Sequence, residues 1–268
     1  MKESRRSWLK GAGQMVAAST IGGLAVAASR DAVHATSKPE NPTDIPWSYK
    51  KLDPDTVGER GYGSYYKGGC CFGAFDAIVG ELQHEVGAPY TAIPTSMMVY
   101  GEGGVAGNST LCGALNGAAA AMFLATGGLA KEKKGPAFAL IRELFSWYEQ
   151  EPLPDFRPAK PKFEIRPSVA RVPLCHVSVS AWCKATGSKA FSPERAERCG
   201  WLTASVAKHA VELLNAQADG KFKAAHTLPA AAATCRTCHD QGSALENTRA
   251  SMECGGCHFT GRREHSKL

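Results

Sequence analysis

The chain has 268 residues, with 31 Lys and Arg against 25 Asp and Glu for a net charge of +6, and 44% of its side chains are hydrophobic. That length supports one or two domains with a real core, and the abundance of Gly and Ala suits close-packed helices. The positive balance forms no basic stripe, which excludes a nucleic-acid-binding footprint.

The chain opens on Ser4-Arg5-Arg6-Ser7-Trp8-Leu9-Lys10, a twin-arginine export signal with Trp8 where Phe is more usual. A weakly apolar stretch follows, and Val33-His34-Ala35 fits a small-x-Ala cleavage site, so residues 1–35 read as a leader. The stretch is short and rich in Gly, Ala, Ser and Thr, so no stable membrane anchor is expected. Cleavage removes five Lys/Arg and two Asp/Glu, leaving 26 cationic and 23 acidic side chains, a net +3. The route implies a periplasmic protein exported already folded.

Residues 36–60 carry no apolar period and read as an extended arm. Gly61 to Gly69 reads as a Gly- and Tyr-rich turn region. From Cys71 a helix is expected, with Phe75, Ile78, Val79, Leu82 and Val86 on one face and Gly87 and Pro89 ending it. Ile93 to Tyr100 suggests a short helix. A further helix runs through Cys112 to Thr126, with Asn108, Ser109 or Thr110 as its cap. Gly113 and Gly117, four apart, leave one face of it bare for a neighbouring backbone or a cofactor. Pro136 is expected to begin another helix, with Phe138, Ile141, Leu144, Phe145 and Tyr148 as its stripe. Six prolines between 152 and 173 rule out regular structure there and predict an extended surface connection. Leu174 to Thr186 reads as helical with Gly187 as C-cap, and Ser192-Pro193-Glu194 starts a helix running to Asp219-Gly220. No convincing strand is found. The fold class expected is mainly α: a helical cysteine-containing domain over 61–220, then a segment over 221–268 with little regular structure.

That last segment carries Cys235-Arg-Thr-Cys238-His239 and Cys254-Gly-Gly-Cys257-His258. Each is a C-x-x-C-H box, the attachment sequence of haem c. Two sulfurs one turn apart reach the vinyl groups of one porphyrin, and the next His swings under the iron. The four cysteines also fit a zinc-ribbon spacing. A ribbon does not require His after each second Cys, and it is more at home in reducing compartments. Two haems c per chain are therefore expected. The 14 residues between His239 and Cys254 would extend only about 21 Å as a helix, so the irons lie close. The segment's large apolar residues, Phe222, Leu228, Leu245, Met252, Phe259 and Leu268, are too few to cover two haems, which implies a second subunit. As distal ligands, His226 and His265 come first, then His209; His84 reads as a surface residue and His176 as structural.

Six cysteines lie outside the boxes: Cys70, Cys71, Cys112, Cys175, Cys183 and Cys199. Three disulfides are possible in an oxidising compartment. Thiolates near helix starts also suit an iron–sulfur cluster. The export route favours a centre assembled before translocation, because haem c is attached outside.

The series Cys71 … Leu111-Cys112-Gly113-Ala114-Leu115-Asn116-Gly117-Ala118 … Cys183 … Cys199 resembles the redox-associated family named for its C-GCAxxG-C-C pattern, with Leu111 in place of the glycine before the second Cys. Joined to two haem boxes and a twin-arginine leader, the mature chain resembles the split-Soret cytochromes c. That resemblance implies a mostly helical homodimer with bis-histidine haems stacked at one end, each taking one axial His from the partner subunit. It also implies a labile iron–sulfur centre, with [2Fe–2S] one form considered. Carried over, Cys71, Cys112, Cys183 and Cys199 become the cluster ligands, with Cys70 competing with Cys71 and Cys175 as a substitute. The expected function is electron transfer among periplasmic redox partners rather than catalysis. The alternatives are a haem enzyme reducing a small oxyanion or peroxide, and a zinc-ribbon binding module.

Overall fold

The structure is a computed structural model and describes residues 44–255. The leader, Cys257, His258 and His265 lie outside the described residues.

The first helix, α1 (Pro54–Glu85), is capped by Asp53, whose carboxylate accepts from Thr56 N at 2.7 Å, with Pro54 at the first position. The expected arm therefore stops at Asp53, and the expected turn over 61–69 is mostly helix. Its glycines serve packing instead: a Cβ on Gly58 would come within 2.7 Å of the Phe156 ring, and Gly61 faces the Ala204 backbone. The true break is two residues long. Gly68 (φ −157°, ψ 23°) and Gly69 (φ 79°, ψ −177°) interrupt the helix, and only glycine adopts the second conformation readily. A 3₁₀ turn at Tyr90–Ala92 comes first, and a second 3₁₀ helix at Thr95–Gly101 stands where a short helix over 93–100 was expected.

Helix α2 (Gly113–Thr126) has Cys112 itself as N-cap. The expected caps fall short of the helix, because Thr110 Oγ1 is spent on Gly104 O at 2.9 Å and Cys112 N on Pro173 O at 2.8 Å. The bare face meets a neighbouring backbone: a Cβ on Gly117 would overlap the Cys71 carbonyl oxygen, and one on Gly113 the Cys70 sulfur.

Helix α3 (Lys131–Gln150) starts before Pro136, which sits inside it. The exposed first turn, with Lys131 and Glu132, leaves the carbonyl that Pro136 cannot reach to water. The stripe is rotated from the one expected. Ala137, Leu140, Leu144 and Tyr148 are buried, whereas Phe138 is 43% exposed.

The 152–173 connection holds one antiparallel ladder, β1 (Pro152–Leu153) with β2 (Ser168–Val169). It is less superficial than expected, since Leu153, Ala170 and Val172 are buried. Helix α4 (Cys175–Thr186) ends at Gly187 with φ 76°, and α5 (Pro193–Ala218) is capped by Ser192, which accepts from Arg195 N at 3.2 Å. Helix α6 (Ala230–His239) brings regular structure into the tail. The fold is mainly α, as expected. Helix α1 packs along α5 and against α2, and α3 closes the other side of α2 and α5. The core between them is built from Val57, Ile78, Leu115, Leu144, Val206 and Leu214, with many alanines that let the axes approach.

Candidate functional site

The break at Gly68–Gly69 decides which cysteine goes where. It turns the second arm of α1 so that Cys71 is fully buried among Gly101 and Gly117, while Cys70 faces a pocket of about 470 Å³. Cys175 at the start of α4 and Cys199 on α5 line the same pocket, with Tyr65, Glu102 and Arg195. Cys112, at the head of α2, lies behind them, and its thiol interacts with those of Cys70, Cys175 and Cys199. Four different segments thus bring four sulfurs to one place.

Of the expected ligands, Cys199 lines this pocket and Cys112 lies behind it; Cys70 and Cys175, the competitor and the substitute, line it too, whereas Cys71 and Cys183 are not part of its lining. Cys183 is eight residues along α4 from Cys175, about 12 Å away along the axis. The described cysteines are all free.

Burial holds the Cys70, Cys112 and Cys175 thiols in their neutral form. Cys70 is pushed well up by desolvation and then by Cys112 and Cys199; Cys175 is pushed up to about 11, and Cys71 to about 12. Cys112 is raised by burial, against the Tyr148 hydroxyl and the Leu115 N–H, which both favour its thiolate. The donor set is that of a soft metal centre, because a bound metal deprotonates thiols that solvent cannot. Among the described residues, however, no three His, Cys, Asp or Glu side chains close on a single ion.

The second site is α6. Cys235 and Cys238 stand one turn apart on it, and His239 is its last residue. The chain then folds back, with Leu245 N donating to Cys238 O at 3.0 Å and Thr248 N to His239 O at 3.1 Å. This return brings Asn247 to His239, whose Nδ1–H donates to Asn247 Oδ1 at 2.7 Å. That hydrogen bond sets the tautomer in which Nε2 carries the lone pair, the form an iron ligand needs. The Cys254 thiol, first of the second box, is raised by burial and by the nearby Cys235 sulfur, so the two boxes start side by side.

Three comparisons bear on these two sites. Residues 72–213 match the family described as "Putative redox-active protein (C_GCAxxG_C_C)". The curated split-Soret cytochrome c of Desulfovibrio desulfuricans is 39% identical over 221 residues, covering 79% of this chain and 77% of that protein. A solved structure of the split-Soret cytochrome c from the same species, described as holding a novel iron centre, superposes with a TM-score of 0.73 at 38% identity over 81% of this chain and 91% of that one.

The chain belongs to the split-Soret cytochrome c family. It is a redox protein of mainly α fold. Within this family member the histidines are distributed unevenly. His226 Nδ1 meets Glu143 Oε1 at 2.7 Å and its Nε2 meets Glu151 Oε1 at 3.3 Å. Burial pulls this imidazole down, but the Glu143 and Glu151 hydrogen bonds outweigh it, and the pKa is raised. His209 stacks on Trp147 with ring centroids 4.1 Å apart, its Nδ1 on Glu212 and its Nε2 buried without a partner. His84 is exposed beside Glu85, and His176 Nδ1 bonds Ser109 O at 2.9 Å. No described helix is long and apolar enough to cross a membrane.

Sequence reasoning missed Arg198, Tyr148 and Asn247. Arg195, Arg198 and Cys199 share one face of α5 at i, i+3 and i+4, a signal that was there to read. Asn247 left none, because only the return of the chain makes it a neighbour of His239.

Proposed function

We propose that this chain is a periplasmic electron-transfer protein, exported by the twin-arginine route, that carries two haems c and an iron–sulfur centre and works as a homodimer. The observation that carries this reading is the His239–Asn247 pair at the end of α6. It is an arrangement for a histidine that ligates iron, and it sits in a chain whose pocket gathers four more sulfurs. When bound, haem c and an iron centre supply one-electron redox chemistry at iron.

The residues divide the work. Cys235 and Cys238 anchor one haem and His239 ligates it; Cys254, Cys257 and His258 do the same for the second. Asn247 keeps the His239 ring oriented. Cys70, Cys112, Cys175 and Cys199 hold the iron centre, and the surrounding burial keeps water from it. His226 and His265 are the proposed distal ligands. His226 reaches that role by releasing Nε2 from Glu151, the longer of its two contacts, while Glu143 retains Nδ1. The sparse apolar surface of the tail supports a second subunit as its cover, and redox partners of the periplasm as its company.

The test is an anaerobic preparation from the native host. Iron above two per chain with matching sulfide is expected, along with a mass carrying two macrocycles and no rapid carbon monoxide binding in the reduced state. Rapid carbon monoxide binding at full occupancy would replace this reading with a haem enzyme. A colourless protein containing zinc would replace it with a ribbon module.

A further inference from the structure

Arg198 is a cation with nowhere ordinary to go. It is 1% exposed, on α5 where that helix meets α3. The described arginines that pair with carboxylates are Arg60, Arg157 and Arg236; Arg198 is not among them. Its Nη2 donates to Ser178 Oγ at 2.7 Å, and that oxygen lies 2.9 Å from the Tyr148 hydroxyl. Its Nε is buried with no partner. After burial itself, the groups that act on it most strongly are Cys199, Tyr148 and Cys112.

A buried guanidinium without a counter-ion is expensive, and a fold does not keep one in a neutral setting. The groups acting on it that a bound metal would leave negative are sulfurs. Two of them, Cys112 and Cys199, belong to the pocket set, and the network Arg198–Ser178–Tyr148 reaches Cys112 from the far side as well.

We propose that Arg198 is the fixed counter-charge of the iron centre, raising the centre's reduction potential. The inference rests on the thiol pocket being an iron site. Adding one electron to the centre adds one negative charge, which a permanent cation stabilises without a proton having to follow. Arg198 is thus a positioning and tuning residue for that centre.

The test is an EPR-monitored redox titration of the anaerobically prepared protein, in which a mediator gives up one electron for each electron the centre takes. Arg198→Met and Arg198→Gln are expected to lower the midpoint potential by at least about 59 mV, a tenfold change for one electron. Arg198→Lys is expected to restore most of the wild-type potential. Neutral variants that fold and fail to load iron, while Arg198→Lys loads it, support the same conclusion. A neutral variant that holds the centre at an unchanged potential overturns it. Should neither neutral variant fold, Ser178→Ala unpins the guanidinium at the cost of one hydroxyl; a smaller negative shift is expected, and no shift overturns the proposal. Wild-type protein with haem iron alone would instead end the iron-site reading, independently of Arg198.

Discussion

A single hydrogen bond, His239 Nδ1 to Asn247, is the most sensitive point of the haem segment. Asn247→Leu should leave the thioether-linked mass unchanged, because Cys235 and Cys238 are untouched. It should shift the midpoint potential of one haem and weaken its His ligation, since such outer partners tune a metal ligand by roughly 10- to 100-fold. An unaltered potential would show that the Asn does not hold the ring. A second residue responds to pH. Glu149 is 4% exposed, and burial, followed by Glu253, pushes its carboxyl up to about 8. The folded state then binds more protons than the unfolded one between about 4.5 and 8, so stability falls as pH rises through that window. Glu149→Gln removes this loss. It should be more stable than wild type at neutral pH by on the order of 2 kcal/mol, and equal to it near pH 4 in urea unfolding.

At the scale of elements, the glycines of the helices sort by what faces them. Gly117→Ala would drive a methyl into the Cys71 carbonyl, a backbone atom that cannot turn aside. It should destabilise by about 1–3 kcal/mol and separate α2 from α1. Gly135→Ala meets nothing within 4 Å on exposed α3 and should stabilise by about 0.5–1 kcal/mol. Thermal unfolding of the pair checks both signs. The same contrast explains what was legible in the sequence. Ser192 with Pro193 and the αL Gly187 are local signals, and the helix ends they mark were read correctly. Gly61 and Pro136 carry equally strong local signals, but packing overrode them. The close pass of Phe156 and Ala204 kept α1 helical through its glycines, and an exposed first turn let α3 begin before its proline. Which of Cys70 and Cys71 enters the pocket was not legible at all, because it depends on the rotation of a helix after a tertiary break.

For the whole molecule, the mainly helical body was legible from its periodicity and caps. Among its sulfurs, the expected Cys199 lines the pocket with Cys112 behind it, and so do Cys70 and Cys175, the competitor and the substitute. The tail is tied to the body through α3, where Glu143 and Glu151 hold His226 and Gln150 Nε2 donates to Thr227 O at 2.9 Å. If the tail needs a second subunit to cover its haems, light scattering of the mature haem-loaded protein should give twice the chain mass. Removing the haem-binding cysteines should return it to a monomer. A monomer at full haem content would show that the body covers them unaided.

The two-glycine hinge in α1 acts as a phase setter. Each residue of an α-helix advances the azimuth by about 100°, so the adjacent thiols after the hinge point to unlike surroundings, one the pocket and the other the packed core. Deleting or inserting one residue at Gly68–Gly69 would shift the downstream arm by that angle and trade the two cysteines' duties. The sequence there thus works like an index mark on a dial, and evolution can change which sulfur faces the pocket without touching either one.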